Sequence, residues 1–132
     1  MFLIACGVML LIALAVNLSD RRMLALTFVV GVAFFLPAPR DTAEHFYVFC
    51  IAAECAVALL ALTIRADGSI LVAEVCALLV ITHLLGYSLD GSPPFSPYRV
   101  IVKLLEFSQI AACAALSPVI APILRNHDAK TQ

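Results

Sequence analysis

The chain has 132 residues, of which 64% are hydrophobic and 13% are charged, and its formal net charge is −1. About a quarter of the residues in a soluble domain are charged, and a soluble fold of this size leaves too much surface in water to hide so much apolar side chain. The composition therefore excludes an ordinary soluble domain, and the negative charge excludes nucleic acid as a partner, since binding it requires a basic surface. We expect the lipid bilayer to be the solvent.

The first apolar segments predict two membrane helices, over residues 2–18 and 20–36. Ser19 or Asp20 can cap the second helix, and Pro37 ends it. In a secretory signal, a basic residue precedes the apolar segment. No basic residue precedes the first segment here, so we expect this segment to be retained as a membrane helix. Because about 17 to 25 residues are needed to cross the hydrocarbon core, these two segments are only just long enough. A shallow hairpin, with four spans in all, is the alternative to five.

Three further helices are predicted over residues 42–65, 69–89 and 97–117, the last with a proline-bent end to residue 124. Asp41 and Glu44 have the spacing of a capping box at the first of them. Ser96 followed by Pro97 is typical of a helix start. The predicted fold is all-α: one polytopic transmembrane helix bundle over residues 1–124, without a soluble domain, followed by a short polar cytoplasmic tail at 125–132.

The basic residues near the ends of the spans predict the orientation, because they accumulate on the cytoplasmic side. With five spans, one side carries five of them: Arg21, Arg22, Arg65, Arg125 and Lys130. The other side carries Arg40 and Arg99. The N-terminus is therefore expected outside and the C-terminus in the cytoplasm, in a bacterial inner (cytoplasmic) membrane or a virus-encoded equivalent. The tyrosines agree, since all three fall at the outer interface: Tyr47, Tyr87 and Tyr98.

Ionisable and polar residues inside the predicted spans are the functional candidates, because such groups are costly in lipid and face a partner or a water-filled cavity. Glu54 and Glu106 lie near the midplane of the third and fifth spans. Glu106 shares a polar stripe with Gln109 and with Lys103, which either pairs with Glu106 or extends its ammonium group to the outer interface.

Two further candidates lie in the fourth span, on opposite faces of the helix. Glu74 is in its cytoplasmic third, and His83 follows nine residues later, with Tyr87 on its own face. Each candidate also has a purely structural interpretation, as a hydrogen-bonding group between helices; for His83 the partner would be a carbonyl or a hydroxyl such as that of Tyr87. Ion or proton handling and contact with a partner protein are the alternatives for Glu54 and Glu106.

Small residues spaced four apart allow helices to approach closely in lipid. Two such pairs occur, Ala52 with Ala56 and Ala111 with Ala115. They predict that the third and fifth helices are neighbours or form the seam of an oligomer. The five cysteines occur singly, without metal-ligand spacing, and are interpreted as small apolar residues. We expect no disulfide, no metal and no cofactor.

An enzyme is not expected, because a catalytic site needs convergent groups and a pocket, and no region outside the membrane is large enough to build one. The leading interpretation is a small non-enzymatic integral membrane protein that acts through helix–helix association, as a homo-oligomer or as a small subunit of a larger membrane assembly. The alternative is an ion- or proton-conducting pore or a small transporter that uses Glu54 and Glu106.

In gross layout the chain is similar to two families. Small multidrug-resistance transporters are comparably short and carry a membrane-embedded glutamate, but theirs lies in the first helix, whereas the first two spans here contain no carboxylate. Phage holins are also short, apolar and multi-spanning, and they carry a charged tail. The tail of this chain is similar but has few charged or titratable residues: Arg125, His127, Asp128 and Lys130. The likeness to holins adds membrane permeabilisation to the pore alternative.

Overall fold

A computed structural model describes residues 1–39, 41–66, 68–90 and 96–115. Within these residues the chain forms five α-helices and no strand, which confirms the all-α prediction. In chain order the helices are α1 (Phe2–Val16), α2 (Arg21–Phe35), α3 (Ala43–Ile64), α4 (Ser69–Asp90) and α5 (Ser96–Ala115). The predicted proline-bent end and the polar tail lie outside the described residues.

Side-chain caps fix the starts of two helices. The Asp20 carboxylate accepts hydrogen bonds from the backbone N–H groups of Arg22 and Met23 at 2.9 and 3.3 Å and begins α2. The Thr42 hydroxyl accepts from the N–H of His45 at 3.1 Å, so Thr42, rather than the predicted capping box, begins α3. His45 also hydrogen-bonds Asp41 at 2.7 Å, and this bond lowers the pKa of the Asp41 carboxyl group.

The helices pack as an antiparallel bundle around α4 and α5. α4 packs against both α3 and α5, while α1 packs against α5, and α2 contacts α1, α3 and α5. At one end of the bundle, Asn17 at the end of α1 contacts Cys113 at the end of α5. The starts of α1, α3 and α5 meet the end of α2 at the opposite end. Successive helices therefore run in opposite directions.

Two of the described helices are long and apolar enough to cross a membrane, over Ala43–Ile64 and Ser69–Leu89. α1 and α2 have 15 residues each, two fewer than predicted. At 1.5 Å per residue each spans about 22 Å, less than the hydrocarbon core of about 30 Å. α5 carries Arg99, Lys103 and Glu106 among its 20 residues. The five-span bundle stays a prediction.

Large apolar side chains point outward from every helix. Examples on each of the five are Leu11 at 68% exposure, Phe28 at 62%, Leu59 at 66%, Leu85 at 56% and Leu104 at 63%. Of the residues in an 18-residue apolar stretch of α3, only 17% are buried within the chain. Soluble monomers rarely expose contiguous apolar surface of this extent, so the outer surface of the bundle has the character of a surface that contacts lipid or other apolar helices.

Candidate functional site

An open cleft of about 570 Å³ lies at the end of the bundle where α3 and α5 begin and α2 ends. We call it the α5 cleft. Five of the six polar candidates from the sequence line it: Glu54, His83, Lys103, Glu106 and Gln109. Residues from α3, α4 and α5 that are far apart in the sequence therefore face one space. The α5 cleft is therefore the candidate functional site.

Gln109 joins three helices at the bottom of the cleft. Its side-chain amide Nε2 donates a hydrogen bond to Oε2 of Glu54 on α3 at 2.9 Å and lies 2.9 Å from Sγ of Cys76 on α4. Gln109 is 4% exposed, so these contacts satisfy an amide that would otherwise be buried at a cost. The bond also fixes the Glu54 carboxyl group, at the midpoint of α3, against α5.

Glu106 lies at the midpoint of α5 and lines the same cleft half-buried. Within the described part of the chain, its carboxyl group forms neither a hydrogen bond nor an ion pair; the one ion pair found there joins Asp41 to His45. Of the two alternatives predicted for Lys103, the ion pair with Glu106 is not formed. The Lys103 ammonium group instead lies 5.5 Å from the centre of the Phe2 ring, and its side chain is exposed.

His83 hydrogen-bonds a tyrosine hydroxyl, but the tyrosine is Tyr98 rather than the predicted Tyr87. Nδ1 of His83 lies 2.7 Å from the Tyr98 hydroxyl oxygen, and both side chains are buried. Tyr87 is exposed and contacts the Tyr47 ring at 5.8 Å between ring centres. Tyr47 in turn contacts Tyr98 at 5.7 Å, so the three tyrosines form one aromatic cluster at this end of the bundle.

Aromatic side chains form much of the apolar wall of the cleft. Four phenylalanines contribute, two from the end of α2 and two from the start of α3: Phe34, Phe35, Phe46 and Phe49. Small-molecule sites commonly combine such apolar walls with a few polar groups, in volumes of about 300 to 1,000 Å³. Both the size and the lining of the α5 cleft fall within that pattern.

The remaining candidates lie outside the cleft. Glu74 is exposed on another face of α4. Ala52 and Ala56 are exposed on α3, whereas Ala111 and Ala115 on α5 are half-buried, so the two small-residue pairs do not face each other within the chain. α3 and α5 do not pack closely against each other as the first alternative predicted: each packs against α2 and α4, and long side chains such as Glu54 and Gln109 connect the two. The role of the alanine pairs in an oligomer seam stays a prediction.

The polar contacts at the opposite end of the bundle were not predicted from the sequence. Asn17 is fully buried, and its Nδ2 donates to the carbonyl of Ala13 at 2.9 Å, to the hydroxyl of Thr27 at 3.2 Å and to the carbonyl of Cys113 at 2.7 Å. From the sequence, Asn17 is interpreted as an ordinary turn residue, because no neighbouring residue indicates that the end of α5 lies beside it.

The cleft combines the carboxyl groups of Glu54 and Glu106 and the basic side chains of Arg99 and Lys103 with a largely apolar lining. No group of His, Cys, Asp and Glu suited to holding a metal ion occurs among the described residues. Comparison of the chain with protein-family models, curated proteins and solved structures finds no match. Glu54 and Glu106 and the cleft that they share are therefore the features of the described chain that bear on function.

Proposed function

We propose that this is a non-enzymatic integral membrane protein that crosses the bilayer with all five helices, with its N-terminus outside and its C-terminus in the cytoplasm. The membrane-length helices α3 and α4 and the apolar side chains exposed on every helix support this proposal. Arg21 and Arg22 at the start of α2 and Arg65 at the end of α3 lie at the same end of the antiparallel bundle. That clustering favours this end as the cytoplasmic one, in a bacterial inner membrane or a virus-encoded equivalent.

We further propose that the protein moves an ion or a small solute across the membrane through the α5 cleft. The observation that supports this is that Glu54 and Glu106, each at the midpoint of its helix, face one open cleft. Carboxyl groups at the middle of a span are costly unless they meet a partner or a cavity, and they mark ion and substrate pathways. Structural fasteners would instead be paired and sealed from solvent, and Glu106 forms no pair among the described side chains.

Flux through liposomes containing the purified protein tests the transport proposal. We expect the parent protein to conduct protons or monovalent cations above the level of empty liposomes. The double variant Glu54→Gln with Glu106→Gln should lose most of that flux. Glu74→Gln is the matched control, because it removes a carboxylate that lies outside the cleft, and it should conduct as the parent does. Equal flux through the double variant would refute the proposal.

Helix–helix association, as a homo-oligomer or as a subunit of a larger assembly, is a second candidate function. Ala52 and Ala56 support it, because they form a small-residue patch on α3 that no other part of the described chain covers. Such patches let helices approach closely in lipid. Substituting both with leucine should abolish a complex that is stable in mild detergent, whereas Ala77→Leu, on the exposed surface of α4, should not. A parent protein that is purely monomeric would exclude the homo-oligomer.

A further inference from the structure

We infer that the turn between α3 and α4 binds a phosphate group, which either the headgroup of a phospholipid or a free phosphate ion can supply. This turn lies at the end of the bundle opposite the α5 cleft, so the inference goes beyond the transport proposal and does not depend on it. Three features support it: a cavity at the turn, a buried hydroxyl group without a partner and an arginine without an ion pair.

A cavity of about 450 Å³ lies beside the turn, and we call it the α3–α4 cavity. Its described lining comes from the end of α3, the turn and the start of α4: Leu62, Arg65, Ala66, Gly68, Ser69 and Ile70. The first N–H groups of a helix have no acceptor within the helix and carry partial positive charge. The start of α4, a helix of 22 residues, therefore gives this cavity the backbone chemistry of an anion site.

Ser69, the first residue of α4, is the observation that points to a ligand. The residue lines the cavity and is fully buried, and its hydroxyl oxygen has no hydrogen-bond partner among the described residues. Its backbone N–H donates to the carbonyl of Ala66 at 3.0 Å, which holds the residue in place at the helix start. Because a buried hydroxyl group without a partner is costly, an acceptor in the cavity would stabilise it, and a phosphate oxygen is such an acceptor.

Arg65 supplies positive charge to the same cavity. The left-handed backbone of Arg65, with φ 50°, and of Gly68, with φ 87°, reverses the chain and brings Arg65 and Ser69 to one space. Arg65 forms no ion pair with a described residue. Its planar guanidinium group can donate two parallel hydrogen bonds to phosphate oxygens. Arg21 and Arg22 at the start of α2 lie at the same end of the bundle and add to the positive potential there.

Negative groups at this end act against an anion. The last carbonyls of α3 carry partial negative charge, and Glu74 is exposed five residues into α4. The Asp20 carboxylate already accepts hydrogen bonds from two N–H groups of α2. Neither carboxylate lines the cavity, and Arg65 supplies the full charge in its described lining. Asp67 belongs to the turn but lies outside the described residues, so a variant tests its effect.

The apolar rim of the cavity distinguishes the two sources of phosphate. Leu62 and Ile70 are 55% and 65% exposed and belong to the lining. The acyl chains of a phospholipid would lie against these side chains and gain free energy from burying them. A free phosphate ion would gain nothing from them.

Equilibrium dialysis of the purified protein in an uncharged detergent, with empty micelles subtracted, measures the binding of three probes. Dihexanoyl phosphatidylglycerol has a phosphate and two short acyl chains, dihexanoylglycerol has the chains alone, and inorganic phosphate has no chains. We expect phosphatidylglycerol to bind at least about tenfold more tightly than dihexanoylglycerol, as hydrogen bonds to a charged group imply. Inorganic phosphate that binds more weakly than phosphatidylglycerol would assign a lipid headgroup, whereas inorganic phosphate that binds as tightly or more so would assign a free ion. If neither phosphate probe binds more tightly than dihexanoylglycerol, the inference is wrong.

Arg65→Gln should weaken binding of the tighter phosphate probe at least about tenfold, because it removes a charged donor. Arg22→Gln is the matched control, since it removes the same charge from the same end at an exposed residue outside the cavity lining. This control should bind as the parent does, and circular dichroism checks that both variants keep the fold. Unchanged binding by Arg65→Gln, or equal weakening by both variants, would overturn the inference in favour of general attraction to the basic end.

Ser69→Ala should weaken phosphate binding several-fold and leave the protein without ligand at least as stable as the parent, since the hydroxyl group has no partner there. A clear loss of stability without ligand would show that the hydroxyl group serves the fold, against the inference. Asp67→Asn removes a carboxylate from the turn and should strengthen phosphate binding or leave it unchanged. Weaker binding by this variant would also contradict an anion site.

Discussion

Gly86 lies where two tyrosine rings pack against the backbone of α4. A Cβ atom added there would lie 2.6 Å from Cε2 of Tyr98 and 3.1 Å from Cε1 of Tyr47. These rings are stiff and packed against each other, so they cannot yield as the end of a flexible chain does. The absence of a side chain at this position is therefore what lets the Tyr98 hydroxyl reach His83.

We predict that Gly86→Ala destabilises the protein by about 1–3 kcal/mol, the usual cost of overpacking, and displaces Tyr98 from His83. Unfolding in mixed micelles measures the loss, and tyrosine fluorescence reports the displaced ring. Gly7→Ala is the control, since a Cβ atom there would have no neighbour within 4 Å. In a helix interior that change should stabilise by about 0.5–1 kcal/mol. Equal effects of the two substitutions would contradict the packing argument.

The Gln109 amide is the residue-scale link between α3 and α5. We predict that Gln109→Leu, which preserves volume and removes the donor to Glu54, costs about 1–2 kcal/mol, in the range of interhelical hydrogen bonds in membranes. A double-mutant cycle with Glu54→Leu isolates the pair, because the second substitution should cost less once the first has been made. If the two costs simply add, the bond does not contribute to the stability of the bundle.

At the scale of the helices, Asn17 attaches the α1–α2 hairpin to the end of α5. One buried amide contacts a carbonyl of α1, a hydroxyl of α2 and a carbonyl of α5. Thr27 adds a bond of its own to the carbonyl of Met23 at 2.7 Å. Because α1 and α2 are short, this polar contact and the apolar core around Cys6 and Leu26 hold them in register with the longer helices.

Replacing Asn17 with leucine should therefore destabilise the bundle by about 1–3 kcal/mol, because the Thr27 hydroxyl and the Cys113 carbonyl lose the buried amide that donates to them. Ser108→Ala is the comparison. It removes an exposed hydroxyl that bonds only within α5, and its effect should stay within about 0.5 kcal/mol. Chemical unfolding of both variants in the same micelles decides the matter. A leucine variant as stable as the parent would mean that the hairpin is held by apolar packing alone.

The helices could be predicted from short stretches of the sequence, because capping residues and prolines act on the helix end that lies next to them. Asp20 caps α2 and Pro37 follows its end, whatever the rest of the chain does. Helical spacing likewise predicted that Glu106 and Gln109 share a face of α5. The partners across helices could not be predicted in this way. Tyr87 is the neighbour of His83 along α4, but the register between α4 and α5 brings Tyr98 to it instead.

At the scale of the whole molecule, the two ends of the bundle differ in character. One end holds the α5 cleft, the three tyrosines and the phenylalanine wall. The other holds the Asn17 contacts and the closely packed ends of α1 and α5. The α5 cleft therefore belongs to one end of the bundle, while the separate α3–α4 cavity of about 450 Å³, lined by residues such as Arg65 and Ser69, lies at the other.

The five-span topology makes its sharpest prediction at the ends of α2, since this helix has only 15 residues and the alternative is a shallow hairpin. Exposed Leu18 and Leu36 flank it. In a background with the native cysteines replaced, Leu36→Cys should react with a membrane-impermeant maleimide in intact cells, whereas Leu18→Cys should react only after permeabilisation. A local thinning of the bilayer would accommodate so short a span.

Thr42→Cys, before α3, is the outer reference position. Labelling of Leu18→Cys in intact cells together with Thr42→Cys would exclude a crossing by α2, and the opposite pattern at all three positions would reverse the orientation.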